Sequence, residues 1–186
     1  MERSATQLRT LVTVLSQFPE IPGNKVLQKL IYLGQMITGR TIWEYKWFHF
    51  GPYSSQLQST ITQAQNMGIL RIENGKTNYS LKLDYQKAKQ LETMELPIES
   101  VELLEGIETI VKKTKDSLSD PKKLELVASL AYLFNESNDI ELASKELALR
   151  KNRYKYEEIK KFQPLLVELS ASFKQLNASS WNYDPR

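Results

Sequence analysis

Ile69-Leu70-Arg71-Ile72-Glu73-Asn74-Gly75, continued by Thr77 to Leu83, decides how the first half of the chain is read. Asn-Gly supplies the two positive-φ positions of a tight turn, and apolar residues stand on both sides of it, so a two-stranded hairpin is expected. Upstream, Ser54 or Ser55 can cap a helix, Ser55 and Gln58 standing at capping-box spacing. That helix turns Leu57, Ile61 and Ala64 inward and stops at Gly68. Before it, Trp43 to Phe50 is aromatic-rich and alternating, which predicts a strand with Trp43, Tyr45 and Trp47 on one side and Glu44, Lys46 and Phe48 on the other. Gly51-Pro52 is expected to end it.

Two helices precede these elements. Leu8, Leu11, Val12, Leu15 and Phe18 form one buried stripe from Glu2 to Phe18, stopped by Pro19 and Pro22-Gly23. A second helix is predicted from an N-cap at Asn24, through Val26, Leu27, Leu30, Ile31 and Leu33, to Gly39. The order helix, helix, strand, helix, strand, turn, strand is that of a winged helix-turn-helix domain.

Charge separates this region from the rest. Residues 1–90 hold 11 Lys+Arg and 5 Asp+Glu, while residues 91–186 hold 14 and 17. A winged-helix-like domain over 1–90, a helical association domain over 91–177 and a tail over 178–186 follow. The predicted helices of the second half are Glu99 to Leu118, Pro121 to Phe134, one after Asn138-Asp139, and Glu157 to Leu176 bent at Pro164. The expected fold class is α+β, mostly helical, with an N-terminal winged helix and a C-terminal helical extension.

The 186 residues include no cysteine and one histidine, His49. Disulfides, thiol nucleophiles, zinc ribbons and two-histidine metal motifs are thereby excluded. No Gly-rich phosphate loop occurs, no cofactor is expected, and no apolar run reaches the roughly 18–20 residues of a membrane-spanning helix. A cytoplasmic, non-enzymatic protein is the expectation. A Ser-His pair of His49 with Ser54 or Ser55 lacks any signalled third group or oxyanion site.

Three stretches carry a resemblance: Lys25-Val26-Leu27-Gln28-Lys29-Leu30-Ile31-Tyr32-Leu33, Phe48-His49-Phe50-Gly51-Pro52-Tyr53-Ser54-Ser55-Gln56-Leu57, and Leu124-Glu125-Leu126-Val127-Ala128-Ser129-Leu130-Ala131-Tyr132-Leu133. Together they resemble the YwgA-type family of uncharacterised prokaryotic proteins. The first two also resemble, more distantly, the Panacea (SocA-like) antitoxin domain, with its Lys-Leu-Gln-Lys-Leu-type helix and Gly-Pro turn. The resemblance implies a winged-helix-like N-terminal region with a helical extension, in an antitoxin or regulatory setting. It implies no catalytic residues.

Two partners are open. Duplex DNA would be read by Ser55, Gln58, Ser59, Thr62 and Gln63 on the third helix, with Arg71, Lys76 and Lys82 on the wing. No Lys or Arg lies between Lys46 and Arg71, so phosphate contacts must come from elsewhere, Lys25, Lys29, Arg40 and Lys46 being further sources. The alternative is a protein-binding adaptor in a toxin-antitoxin, defence or regulatory complex, using the same uncharged face. Either protein could form a homodimer through the helical half. Glu99, Glu102, Glu105 and Glu108 read as a solvated acidic face. The run Arg150-Lys151-Asn152-Arg153-Tyr154-Lys155-Tyr156 reads as a helix-end cluster or a phosphate or acidic-partner contact.

Overall fold

The computed structural model describes residues 2–18, 21–74, 79–92, 95–113 and 120–171. The described chain is mostly helical with two small antiparallel sheets. In order come α1 (Glu2–Gln17), α2 (Gly23–Thr38), β1 (Lys46–Phe48), β2 (Gly51–Tyr53), α3 (Ser55–Asn66), β3 (Leu70–Asn74) and β4 (Tyr79–Leu83). Then follow α4 (Tyr85–Glu92), α5 (Ile98–Lys113), α6 (Pro121–Ser137), α7 (Ile140–Arg150), α8 (Tyr156–Lys160) and α9 (Gln163–Ser170). No helix among the described residues is long and apolar enough to cross a membrane.

One hydrophobic cluster runs from Leu8 on α1 to Leu169 on α9. Its axis is α2, which packs along α5 and α6 and has 14 of its 16 residues buried. The two halves that charge distinguishes therefore share a core, and the boundary placed near residue 90, within α4, does not divide it. The contact is close because two glycines face each other. A Cβ on Gly106 would lie 2.7 Å from the Gly34 carbonyl oxygen, and one on Gly34 would lie 2.8 Å from Ile107 Cγ1.

Several elements differ in detail from expectation. The strand from Trp43 to Phe50 shortens to β1, and Gly51-Pro52 begins β2 instead of ending the sheet. Phe48 pairs with Gly51 across the two-residue turn His49-Phe50, and Gly51 takes φ +83°, which a side chain would strain. Pro52 is tolerated in a ribbon of only two strands. The inward alternation of Trp43 and Tyr45, both buried, and half-buried Trp47 is as read.

At the second hairpin Asn74 pairs with Tyr79, so residues 75–78 connect the strands and Asn74 belongs to β3. The connection is longer than a two-residue Asn-Gly turn, and it lies outside the described residues. Pro22, not Asn24, stands at the N-cap of α2. Of the helix predicted over Glu157 to Leu176, the described part is two helices, α8 and α9, with Pro164 in the first turn of α9, where its missing N–H costs nothing, and residues 172–176 lie outside the described residues. The tail 178–186 lies outside the described residues. Helix α4 has no counterpart in the sequence reading.

Candidate functional site

Helix α3 starts at Ser54, whose backbone is extended and whose Oγ accepts from the Leu57 N–H at 3.1 Å. Ser54 caps the helix itself, so the Ser55 and Gln58 capping box is not the device used. Leu57, Thr60, Ile61 and Ala64 turn inward, Thr60 Oγ1 accepting from Trp43 Nε1 at 3.2 Å. Ser55, Ser59, Thr62 and Gln63 are left exposed, and Gln58 half-buried. Gln58, Ser59, Thr62, Gln63, Asn66 and Met67 line an open groove of about 410 Å³. Four of the five predicted α3 residues are thus gathered, with Ser55 one turn before them. Asn66 and Met67 are additions the helical period alone could have supplied.

The groove has neighbours on both sides. Asn24 Nδ2 of α2 reaches Gln58 Oε1 at 3.4 Å, and Ser4 Oγ of α1 reaches Gln63 Oε1 at 3.3 Å. Ser59 and Thr62 donate their hydroxyls to the Ser55 and Gln58 carbonyls, both at 3.0 Å. Their oxygens remain available as acceptors, while the glutamine amides offer donors. None of the six lining residues is charged.

On the β3–β4 ribbon Arg71 stands directly across from Lys82. Arg71 pairs with Asp84 at 3.0 Å and Lys82 with Glu73 at 3.8 Å. Each of these cations faces a carboxylate, so the four together carry no net charge. Lys76 lies outside the described residues. Of the other cations considered as phosphate contacts, Lys29 is buried, Lys25 pairs with Glu125 at 2.9 Å, and Arg40 pairs with Glu102 at 2.5 Å. Lys46 is exposed.

A second constellation lies beneath the Gly51-Pro52-Tyr53-Ser54 turn. Gln28 clasps Ser54 from both sides: its Nε2 donates to the Ser54 carbonyl and its Oε1 accepts the Ser54 N–H, each at 3.0 Å. Lys29 donates to the Pro52 carbonyl, and Tyr45 Oη donates to the Gln28 carbonyl at 3.0 Å. From α6, Ser129 sits against Gly51, where a Cβ would come within 2.1 Å of its Oγ. Glu125, only 1% exposed, receives Lys25, Lys151 at 2.7 Å and Arg153. Lys151 also donates to Ser129 Oγ at 3.0 Å.

Electrostatics within this cluster are uneven. Burial lowers the Lys29 ammonium to about 7, helped by the charge of Lys151 and opposed by Glu125. Burial also lowers Lys151, against the pull of its Glu125 hydrogen bond. For Glu125, burial works upward but is outweighed by Lys151 and Lys25, which hold the carboxyl below its ordinary value. Three cations therefore occupy its acceptor sites, and its chemistry is that of a clamp. Helices α2 and α6 close on this turn from either side.

The remaining sequence features take internal roles. Arg150 pairs with Glu146 at 2.5 Å and lies 4.8 Å over the Trp47 ring, while Lys25 and Arg153 lie over Phe50 at 4.0 and 5.4 Å. Trp47 also meets Tyr132 at 5.6 Å. Most of the basic run is spent on β1–β2 and Glu125. His49 is exposed in the hairpin turn with its ring on Phe48, while the Ser54 hydroxyl is buried in its cap. Glu102 meets Arg40 and Glu108 meets Lys112 on the acidic face of α5. Among the described residues no three His, Asp or Glu side chains gather as metal ligands. No family model matches the chain, and no curated protein matches it at a significant level.

Proposed function

We propose that the chain is a non-enzymatic, cytoplasmic adaptor of winged-helix type that holds another protein in the polar groove of α3. The observation that carries this reading is the absence of charge on the six residues lining the groove, beside a ribbon whose described cations face carboxylates. A nucleic-acid surface draws most of its non-specific affinity from unpaired Lys and Arg. An uncharged groove with amide donors, hydroxyl acceptors and the thioether of Met67 suits a peptide segment better. The resemblance to the YwgA-type family and the Panacea domain supports an antitoxin or regulatory complex as the setting, with the helical half available for association.

A DNA-binding regulator is the second reading. It is favoured by the element order, in which α3 stands between two hairpins and presents Gln58, Ser59, Thr62 and Gln63 outward. Exposed Thr62 separates the two readings. Under the adaptor reading, Thr62→Arg abolishes co-purification of the specific partner from source cells, and the wild-type chain shifts no duplex at low salt. Under the DNA reading, the wild type binds duplex in a salt-dependent way and the added cation tightens it. A partner retained at wild-type yield by Thr62→Arg overturns the adaptor proposal.

A further inference from the structure

We infer that the outer face of the β1–β2 ribbon, with its turn, is a docking surface for single-stranded nucleic acid, whose bases stack on Phe48 and whose phosphates meet Lys46, Lys25 and Arg153. The register sets Lys46 beside Tyr53 and Phe48 beside Gly51 on one face of the ribbon, while Trp47 and Pro52 form the opposite face and turn inward. Phe48 is 54% exposed and Phe50 47%. The Phe48 ring is held by its neighbours, with the Tyr53 ring 5.5 Å away at 31° and the His49 ring edge-on at 4.6 Å. A ring fixed in place yet left in water is a platform for another flat group.

Charge selects the partner. Around Glu125 three cations, Lys25, Lys151 and Arg153, meet one carboxylate, which leaves two positive charges unmatched within that cluster. Lys25 and Arg153 keep 40% and 47% of their side chains exposed, and both reach over the Phe50 ring. Lys46 is exposed on the same face as Phe48. A cationic ligand would be repelled here, and a purely apolar partner would strip water from these charges without replacing it. The partner is therefore anionic. The exposed apolar side chains of the ribbon and its turn are rings, Phe48 and Phe50, and the group that offers a flat face to a ring beside an anion is a nucleotide. Aromatic platforms flanked by Lys and Arg are how sequence-tolerant surfaces hold a single strand, whereas a duplex keeps its base faces stacked inside. The surface shares no residue with the α3 groove, so it stands or falls independently of the adaptor reading.

Fluorescence anisotropy of the full chain with a labelled, mixed-sequence DNA strand of about 12 nucleotides, within the span that such surfaces cover, tests the surface at low salt. Saturable binding is expected. It should be at least about tenfold weaker with an abasic strand of the same length, with the same sequence as a duplex, and with a glutamate-rich peptide of equal charge, since each lacks an accessible base face. Phe48→Leu, which keeps an apolar side chain at an exposed position, should weaken the strand about tenfold, and Phe48→Trp should restore it. Lys46→Gln should reduce the slope of log affinity against log salt by about 0.7, the loss of one phosphate contact on a single strand. No saturable binding of the strand overturns the proposal. So does equal affinity for the abasic strand, the duplex or the peptide, wild-type affinity in a folded Phe48→Leu chain, or a wild-type salt slope in a folded Lys46→Gln chain.

Discussion

Gly34 on α2 and Gly106 on α5 meet without side chains between them, so that the Gly34 carbonyl oxygen occupies the space where a Gly106 Cβ would stand, 2.7 Å away. The obstacle is backbone, which cannot rotate aside. Gly106→Ala should destabilise the chain by about 1–3 kcal/mol, the usual cost of overpacking. Urea unfolding measures this, with exposed Glu105→Gln as a control expected within about 0.5 kcal/mol of wild type. Because the contact ties the first half to the second, tryptophan fluorescence and far-UV circular dichroism should report one coincident transition.

Glu125→Gln keeps the size of the side chain and removes the charge that three cations share. Breaking a buried pair from one side costs about 3–5 kcal/mol, since the remaining charges stay desolvated. Lys151→Met alone should cost less, because Lys25 and Arg153 still hold Glu125. The double variant should be less destabilised than the sum of the two, which a urea-based double-mutant cycle reads directly.

Stability should rise with pH across the range in which Lys29 titrates. Its folded value is about 7, against an ordinary 10.5. Between these values the unfolded chain binds the proton that the folded chain has released, so the slope of unfolding free energy with pH is positive. The gain is complete above the unfolded value and is lost as pH falls through about 7. In Lys29→Met this contribution is absent, and midpoints in urea from pH 7 to 10 should lose the corresponding rise. Glu125 acts at the acid end. Its depressed carboxyl contributes stability above the ordinary carboxylate value that is lost as pH falls through the folded one.

Ser54→Ala removes the acceptor at the start of α3. A loss of about 1 kcal/mol is expected, in the range of cap substitutions, while the groove residues keep their places on the helix. Thermal unfolding gives the first quantity. Retention of partner binding at saturating protein gives the second.

Much of this architecture was legible from residue spacing. The stripes on α1, α2, α6 and α7, the alternation of Trp43, Tyr45 and Trp47, and the α3 face all follow from period alone. Helix α4 was hidden because, among its described side chains, Ala88 and Leu91 alone turn inward, too few to mark a stripe. Strand β2 was hidden because Gly-Pro ordinarily stops a strand, and only a turn at His49-Phe50 makes it a pairing partner. The Glu125 cluster joins residues 22 to 28 apart on one side and still further apart on the other, a relation no local pattern carries. Its one sequence signal was a charge lodged in an apolar run, Glu125 between Leu124 and Leu126. Lys29, which the sequence offers as a phosphate contact, is buried against the Pro52 carbonyl instead.

The enclosure of α2 limits what its residues can say about role. With most of its positions shut away from solvent, almost any replacement there will be rejected for reasons of assembly, whatever the protein does. Gln28 and Lys29 brace the Gly-Pro turn in the same way. Residues 25–33 therefore speak of how the helix is enclosed, and side chains free to meet another molecule are found where α3 turns them outward.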